Sequence, residues 1–141
     1  TPTCRRRFDK EGKSVNTHGE YPDAIRWVAQ KENVPLIELN GMTTMLCDAL
    51  GVDGSMKLYV HYPAGTFPGQ TREFKDNSHF STYGAYETAK CVVEGMKKAK
   101  LDIVNYLRAD YKGFDPAQPD KFETFKWNLC QFTEIEKPDG N

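Results

Sequence analysis

Apolar residues recur at helical spacing in three stretches of the chain, separated by polar, glycine- and proline-bearing segments. Residues 1–20 are polar and loop-like, with Gly12 and Gly19 as breakers. Pro22 suits a first helical position, where its missing N–H costs nothing. Ile25, Val28 and Ala29 then follow at helical spacing, and Asn33 is placed to end the helix. Val34–Leu39 is a short apolar run after a turn signal. It reads as a strand buried on at least one face, with Pro35 tolerated near its start. Asn40 is placed to cap a second helix, whose stripe Met42, Met45, Leu46, Ala49 and Leu50 stands at i, i+3, i+4, i+7 and i+8. Gly51 fits the left-handed residue after that helix.

Lys57–His61 reads as a short strand or extended segment, and Pro63, Gly65, Pro68 and Gly69 make 62–75 a loop. A long helix starts from Ser81, with Ala85, Ala89, Val92, Val93 and Met96 on one face; Leu101, Val104 and Leu107 carry the pattern on after a kink. Residues 112–141 hold Pro116, Pro119 and Pro138 among Phe114, Phe122, Phe125, Trp127 and Phe132, a tail that packs by aromatic anchors.

The order helix, strand, helix, loop, helix belongs to the α/β class. A single strand between helices cannot satisfy its own backbone groups, and this chain supplies no obvious neighbours for it. The expectation is therefore an incomplete α/β domain over residues 1–111, with 112–141 as a tail packed on it. An open apolar strand edge invites pairing with another chain, so association is expected as well.

Composition narrows the function. Of 141 residues, 38% are hydrophobic and 28% charged, so the chain is expected to fold. Nineteen basic and twenty acidic residues leave a net charge of −1, which argues against a general binder of nucleic acid or anionic membranes. No apolar run is long enough to span a membrane, and no signal-peptide core stands at the N-terminus. Cys4, Cys47, Cys91 and Cys130 stand about forty residues apart with no C-x-x-C pair. That spacing disfavours a zinc knuckle or redox dithiol, and all four are expected as free thiols.

Asp76-Asn77-Ser78-His79-Phe80 carries the sharpest chemistry. Carboxylate and imidazole stand three residues apart at the end of the loop and just before a helix. The carboxylate can accept from Nδ1–H of His79 and fix its tautomer, leaving Nε2 free to take a proton from a nucleophile. Spacing alone also fits a helix-entry carboxylate beside an incidental exposed histidine.

The run from Asp76 to Ala85 resembles the last D-x-x-H block of SGNH (GDSL-type) hydrolases, and more closely that of the rhamnogalacturonan acetylesterase group, D-N-T-H-F followed by G-A. Two upstream stretches agree. Thr1-Pro2, Arg6-Arg7-Phe8 and His18-Gly19-Glu20-Tyr21-Pro22 resemble that group's TP…RR.F…HGDYP, and Val34–Asn40 resembles its VPLIDLN strand. Gly113-Phe114-Asp115-Pro116 is similar to longer members. Departures are mild: Ser78 where Thr is usual, and Glu20 and Glu38 where Asp is usual.

The resemblance implies the C-terminal part of a flavodoxin-like, three-layer α/β/α domain with a parallel sheet. It implies hydrolysis of acetyl esters on a pectic, rhamnogalacturonan-like polysaccharide by a Ser-His-Asp mechanism, with His79 as base and Asp76 as its orienter. It also implies a secreted or periplasmic setting. The family's serine lies in a G-D-S block and its oxyanion glycine and asparagine in two later blocks, all before the matched region. Ser14, Ser55, Ser78 and Ser81 do not stand in G-D-S. The implied partner is then the N-terminal half of the same hydrolase, or a second copy of this chain. Without nucleophile and oxyanion donors, the chain alone is expected to be inactive.

Other candidates carry less. Arg6, in the basic run Arg5–Arg7, could meet a uronate carboxylate or simply be a solvated loop charge, and His18 could line the cleft or simply be exposed. His61 with Asp53, Asp76 and His79 has no tight ligand spacing, so no metal and no cofactor are expected. Trp27 is expected to pack on its helix and Trp127 to anchor the tail. The competing reading is a non-catalytic assembly domain that retains half the fold.

Overall fold

The structure, a computed structural model, describes residues 1–127. Cys130, Phe132 and Pro138 lie outside the described residues. In chain order the elements are α1 (Tyr21–Lys31), α2 (Leu39–Gly54), β1 (Tyr59–Tyr62), β2 (Phe74–Phe80) and α3 (Thr82–Lys98), with 3₁₀ turns at Ser55–Leu58, Asp102–Tyr106 and Phe122–Thr124. The chain is of the α/β class. Its sheet, among the described residues, is a two-stranded antiparallel pair of β1 and β2.

Three helices form where the hydrophobic period places them, with corrections in detail. Pro22 sits in the first turn of α1, and Asn33 adopts a positive φ of 50° just after its end. The cap of α2 is Glu38 rather than Asn40: its carboxylate accepts from Gly41 N–H at 3.3 Å. Gly51 takes φ 70° as expected, but helical geometry resumes beyond it to Gly54, so the glycine kinks α2 instead of ending it. Ser81 caps α3 by accepting from Gly84 N–H at 3.0 Å.

The strand expected at Val34–Leu39 does not form. Residues 34–38 are irregular and Leu39 opens α2. A strand needs a neighbour to accept and donate its ladder bonds, and none lies alongside. The segment is held by its ends instead. The Thr1 amine donates to Ile37 O at 2.9 Å, and Arg26 of α1 grips both oxygens of Glu38 at 2.7 Å. That fork holds the Glu38 carboxyl down to about 2. The N–H groups of Leu36 and Ile37 find no partner among the described residues.

The core lies between α2, α3 and the sheet: Cys4, Leu46, Cys47, Leu58, Tyr59, Tyr83 and Cys91, with Phe8, Met42, Leu50, Phe80, Phe114 and Phe125 against it. The face that α3 buries differs from the expected one. Ala85 and Ala89 are exposed, while Tyr83, Gly84, Glu87, Thr88, Cys91 and Gly95 are buried. Gly84 lets α3 approach the backbone of Leu58 and Gly95 the side chains of Ile37 and Met42, and the wholly buried Glu87 is paired with Lys90, whose Nζ lies 2.7 Å from Oε1. Lys90 also reaches Asp120 at 2.7 Å and lies 4.1 Å over the Phe114 ring. With Phe122, Phe125 and Trp127 stacked on Tyr83 and Tyr86, this fastens the tail to α3. The apolar face of α1 is by contrast open. Ile25 is 40% and Val28 47% exposed, and Trp27, expected to pack, is 60% exposed.

The N-terminus of α3 abuts the carbonyl of Leu58: a Cβ built at Gly84 would fall inside that peptide group. Gly84→Ala should therefore destabilise the chain by about 3 kcal/mol or more, read as a lower urea midpoint. Gly54→Ala, where a Cβ meets only Leu50 Cβ at 3.4 Å, should leave the midpoint nearly unchanged. Equal effects would contradict the close approach.

Candidate active site

The register of the hairpin builds the site. Tyr59 pairs with Phe80, then His61 with Lys75 and Tyr62 with Phe74. Between the first two pairs β1 has one residue, Val60, and β2 has four, Asp76 to His79. Those four residues bulge out of the ladder, and a bulge re-aims side chains away from the strand's alternation. The turn is closed from within. Asp76 Oδ1 accepts from the N–H groups of Ser78 at 2.6 Å and His79 at 2.9 Å. Its other oxygen, Oδ2, lies 2.6 Å from His79 Nδ1. The expected junction of loop and helix is thus a bulged strand that runs through the cap Ser81 into α3.

The electrostatics follow from these contacts. The His79 N–H, the His79 ring and the Ser78 N–H together hold the Asp76 carboxyl at about 2, below its ordinary 3.8. The ring is 81% exposed while the carboxylate is 37% exposed. Nδ1 is committed to Asp76, and Nε2 carries no hydrogen bond among the described residues. A base oriented on one nitrogen and open on the other can exchange a proton with a group brought up from outside.

No serine hydroxyl of the described residues is hydrogen-bonded to that ring. Ser55 Oγ accepts from Arg6 Nε at 3.1 Å and donates to Val52 O at 3.1 Å. Ser81 Oγ donates to Lys57 O at 2.6 Å. Neither these nor Ser14 or Ser78 hydrogen-bonds the His79 ring.

Arg6 is brought to the turn and His18 is not. The Arg6 guanidinium donates to Ser55 Oγ, to Val52 O at 2.6 Å and to Asn77 Oδ1 at 3.3 Å, while its backbone N–H donates to Asn77 O at 2.9 Å. Its donors are directed at protein acceptors, so in this structure it braces the bulge from behind. His18 Nε2 lies 2.8 Å from Thr3 O and makes no bond to the Asp76–His79 pair. Two contributors escaped the sequence reading. Asn77 receives Arg6 from one side and His61 Nε2, at 2.8 Å, from the other. The signal available was that Asn77 stands inside the motif and that His61 ends a segment expected to be extended. Among the described residues no cluster of His, Cys, Asp or Glu is arranged to hold a metal, and no helix is long and apolar enough to cross a membrane.

Comparison with known proteins gives a relative. The chain is 39% identical over 107 residues to the rhamnogalacturonan acetylesterase RhgT of Bacillus subtilis (strain 168). It is related to that hydrolase. The match takes in 76% of this chain and 46% of RhgT, so the chain spans about half the length of the curated relative it matches. No family model and no solved structure matches it. The family resemblance carried by the D-N-S-H-F, HGEYP and VPLIELN stretches thus has a curated counterpart.

Because the folded-state carboxyl of Asp76 is depressed, the pair's contribution to stability is complete above the ordinary value. It is lost as pH falls from there toward about 2. Carboxyl-carbon NMR of the folded chain should show Asp76 titrating near 2, well below the exposed Asp residues. A midpoint among theirs would contradict the three hydrogen bonds it accepts.

Proposed function

We propose that this chain is the acid–base part of an SGNH-type carbohydrate O-acetylesterase, supplying Asp76 and His79 to a Ser-His-Asp site. The observation that carries the reading is the His79 ring, held by Asp76 at Nδ1 and open at Nε2. The relationship to RhgT supports the chemistry, and the substrate class follows from that relative's name: acetyl esters on rhamnogalacturonan. The serine and the oxyanion donors lie in a half of the domain that this chain does not contain.

In the assembled site His79 Nε2 takes the serine proton as the hydroxyl attacks the acetyl carbonyl. The imidazolium is stabilised by Asp76 and passes the proton to the departing sugar oxygen. Water then repeats the sequence on the acetyl-serine, releasing acetate. No metal or cofactor takes part in this scheme.

Two features support the partner being the N-terminal half of the hydrolase. Residues 34–38 have the composition of a buried strand, and the N–H groups of Leu36 and Ile37, without a partner among the described residues, suit a sheet edge. Beside them Tyr21, Ile25, Val28 and Val34 form an exposed apolar face, with Val34 53% exposed. A half that supplies parallel strands on one side of Val34–Ile37 would restore a three-layer α/β/α sheet and bring its serine to His79. A second copy of this chain would pair the same edges yet bring no serine in G-D-S, and would describe a non-catalytic assembly domain.

The chain alone should hydrolyse an aryl acetate no faster than background. Co-expression with an upstream half bearing the G-D-S block should yield a stable complex with serine-dependent turnover. In that complex His79→Ala and Asp76→Asn should each lower kcat by roughly 10⁴-fold. Serine-dependent turnover by the chain alone, or a complex whose turnover ignores His79, would overturn the proposal.

A further inference from the structure

Away from the Asp76–His79 pair, the tightest group of nucleophilic side chains lies between the N-terminal arm and α2. Cys4 is 6% and Cys47 1% exposed, and their sulfurs stand 3.4 Å apart. The Tyr59 hydroxyl lies 3.5 Å from each sulfur. Backbone bonds hold the two residues face to face. Cys4 N–H donates to Thr43 Oγ1 at 2.9 Å, one turn before Cys47 on α2, and the Tyr59 hydroxyl donates to Cys4 O at 2.9 Å. Both are free thiols here, as the sequence led one to expect. A disulfide bond of about 2.05 Å is reached by closing the sulfurs by roughly 1.4 Å. Cys91, equally buried, has no sulfur neighbour among the described residues.

We propose that Cys4 and Cys47 form an intramolecular disulfide that fastens the N-terminal arm to α2. The oxidant is a small-molecule disulfide. Cys4, the less buried of the two, attacks it as a thiolate. That step leaves a mixed disulfide on Cys4 and expels one small thiolate. Cys47 gives its proton to the thiolate expelled in the first step, attacks Cys4 Sγ and expels the second. The protein loses two protons and two electrons, and the small disulfide becomes two thiols. The hydrogen bond from the Cys47 side chain favours the first attack, because it lowers the Cys4 thiol while the Cys47 thiol is pushed up.

The bridge would close a loop across 43 positions of sequence and immobilise the strap that carries Arg6, two residues further on, to Asn77 of the bulge. It is a property of this chain's own core and stands independently of the esterase proposal.

The test is oxidation of the folded 141-residue chain with glutathione disulfide, followed by denaturation, thiol titration and peptide mapping. Four thiols should fall to two, with Cys4 and Cys47 recovered in one cross-linked peptide. Tm should rise on the order of 10 °C, and dithiothreitol should reverse it. Cys91→Ser should keep the bridge; Cys4→Ser should abolish it along with the rise in Tm. A chain that keeps four thiols, stops at a mixed disulfide, or bridges through Cys91 or Cys130 would overturn the proposal.

Discussion

The position of the Asp76–His79 pair depends on one close approach, that of the first turn of α3 to the peptide after Leu58. Only glycine fits at Gly84. The carbonyl of Leu58 accepts from Ser81 N–H at 2.9 Å, and Ser81 Oγ donates to Lys57 O at 2.6 Å. These bonds fix the end of β2 against the start of β1. Once Phe80 is set opposite Tyr59 and Lys75 opposite His61, the four residues between must leave the ladder. The turn they form is stabilised by its own carboxylate, and its tip is the imidazole. Packing of a helix terminus thus dictates a strand irregularity, and the irregularity presents the histidine.

A second layer of restraint comes from the N-terminal arm. Thr1 is tied to the residues before α2, Cys4 to Thr43, and Arg6 to Ser55, Val52 and Asn77. A segment that reads as a polar loop is therefore bound along its length and passes behind the site. The pair it supports is complete as an acid–base device and open toward solvent. The apolar face of α1 and the unpaired segment before α2 are open in the same way.

What was legible in the sequence was local. The Pro22 entry to α1 and the Ser81 cap of α3 follow from local signals, and both formed; α2 formed too, but it buries Thr43, Leu46 and Cys47 and leaves Met45 and Ala49 of the expected stripe exposed. The D-x-x-H pairing is also local, since its partners are three residues apart. What escaped depends on distant partners. The Val34–Leu39 run has strand composition, but it has no ladder neighbour among the described residues, so capping by Glu38 and the grip of Arg26 decide its shape. The buried face of α3 was misjudged because a carboxylate, paired with Lys90, and two glycines lie on it where apolar side chains were expected. Arg6 and His61 converge on Asn77 from 71 and 16 residues away, which no motif encodes. The bulge is a matter of register, and register is set by long-range pairing.

The central claim is that this chain fixes the tautomer of the His79 imidazole through Asp76. The direct measurement is the ring nitrogen chemical shifts of His79 in the isolated chain, at a pH where the ring is neutral. The account predicts the Nδ1–H tautomer, with a downfield proton on Nδ1 that disappears in Asp76→Ala and an Nε2 that behaves as an unprotonated nitrogen. An Nε2–H tautomer, or a ring indifferent to removal of Asp76, would contradict it.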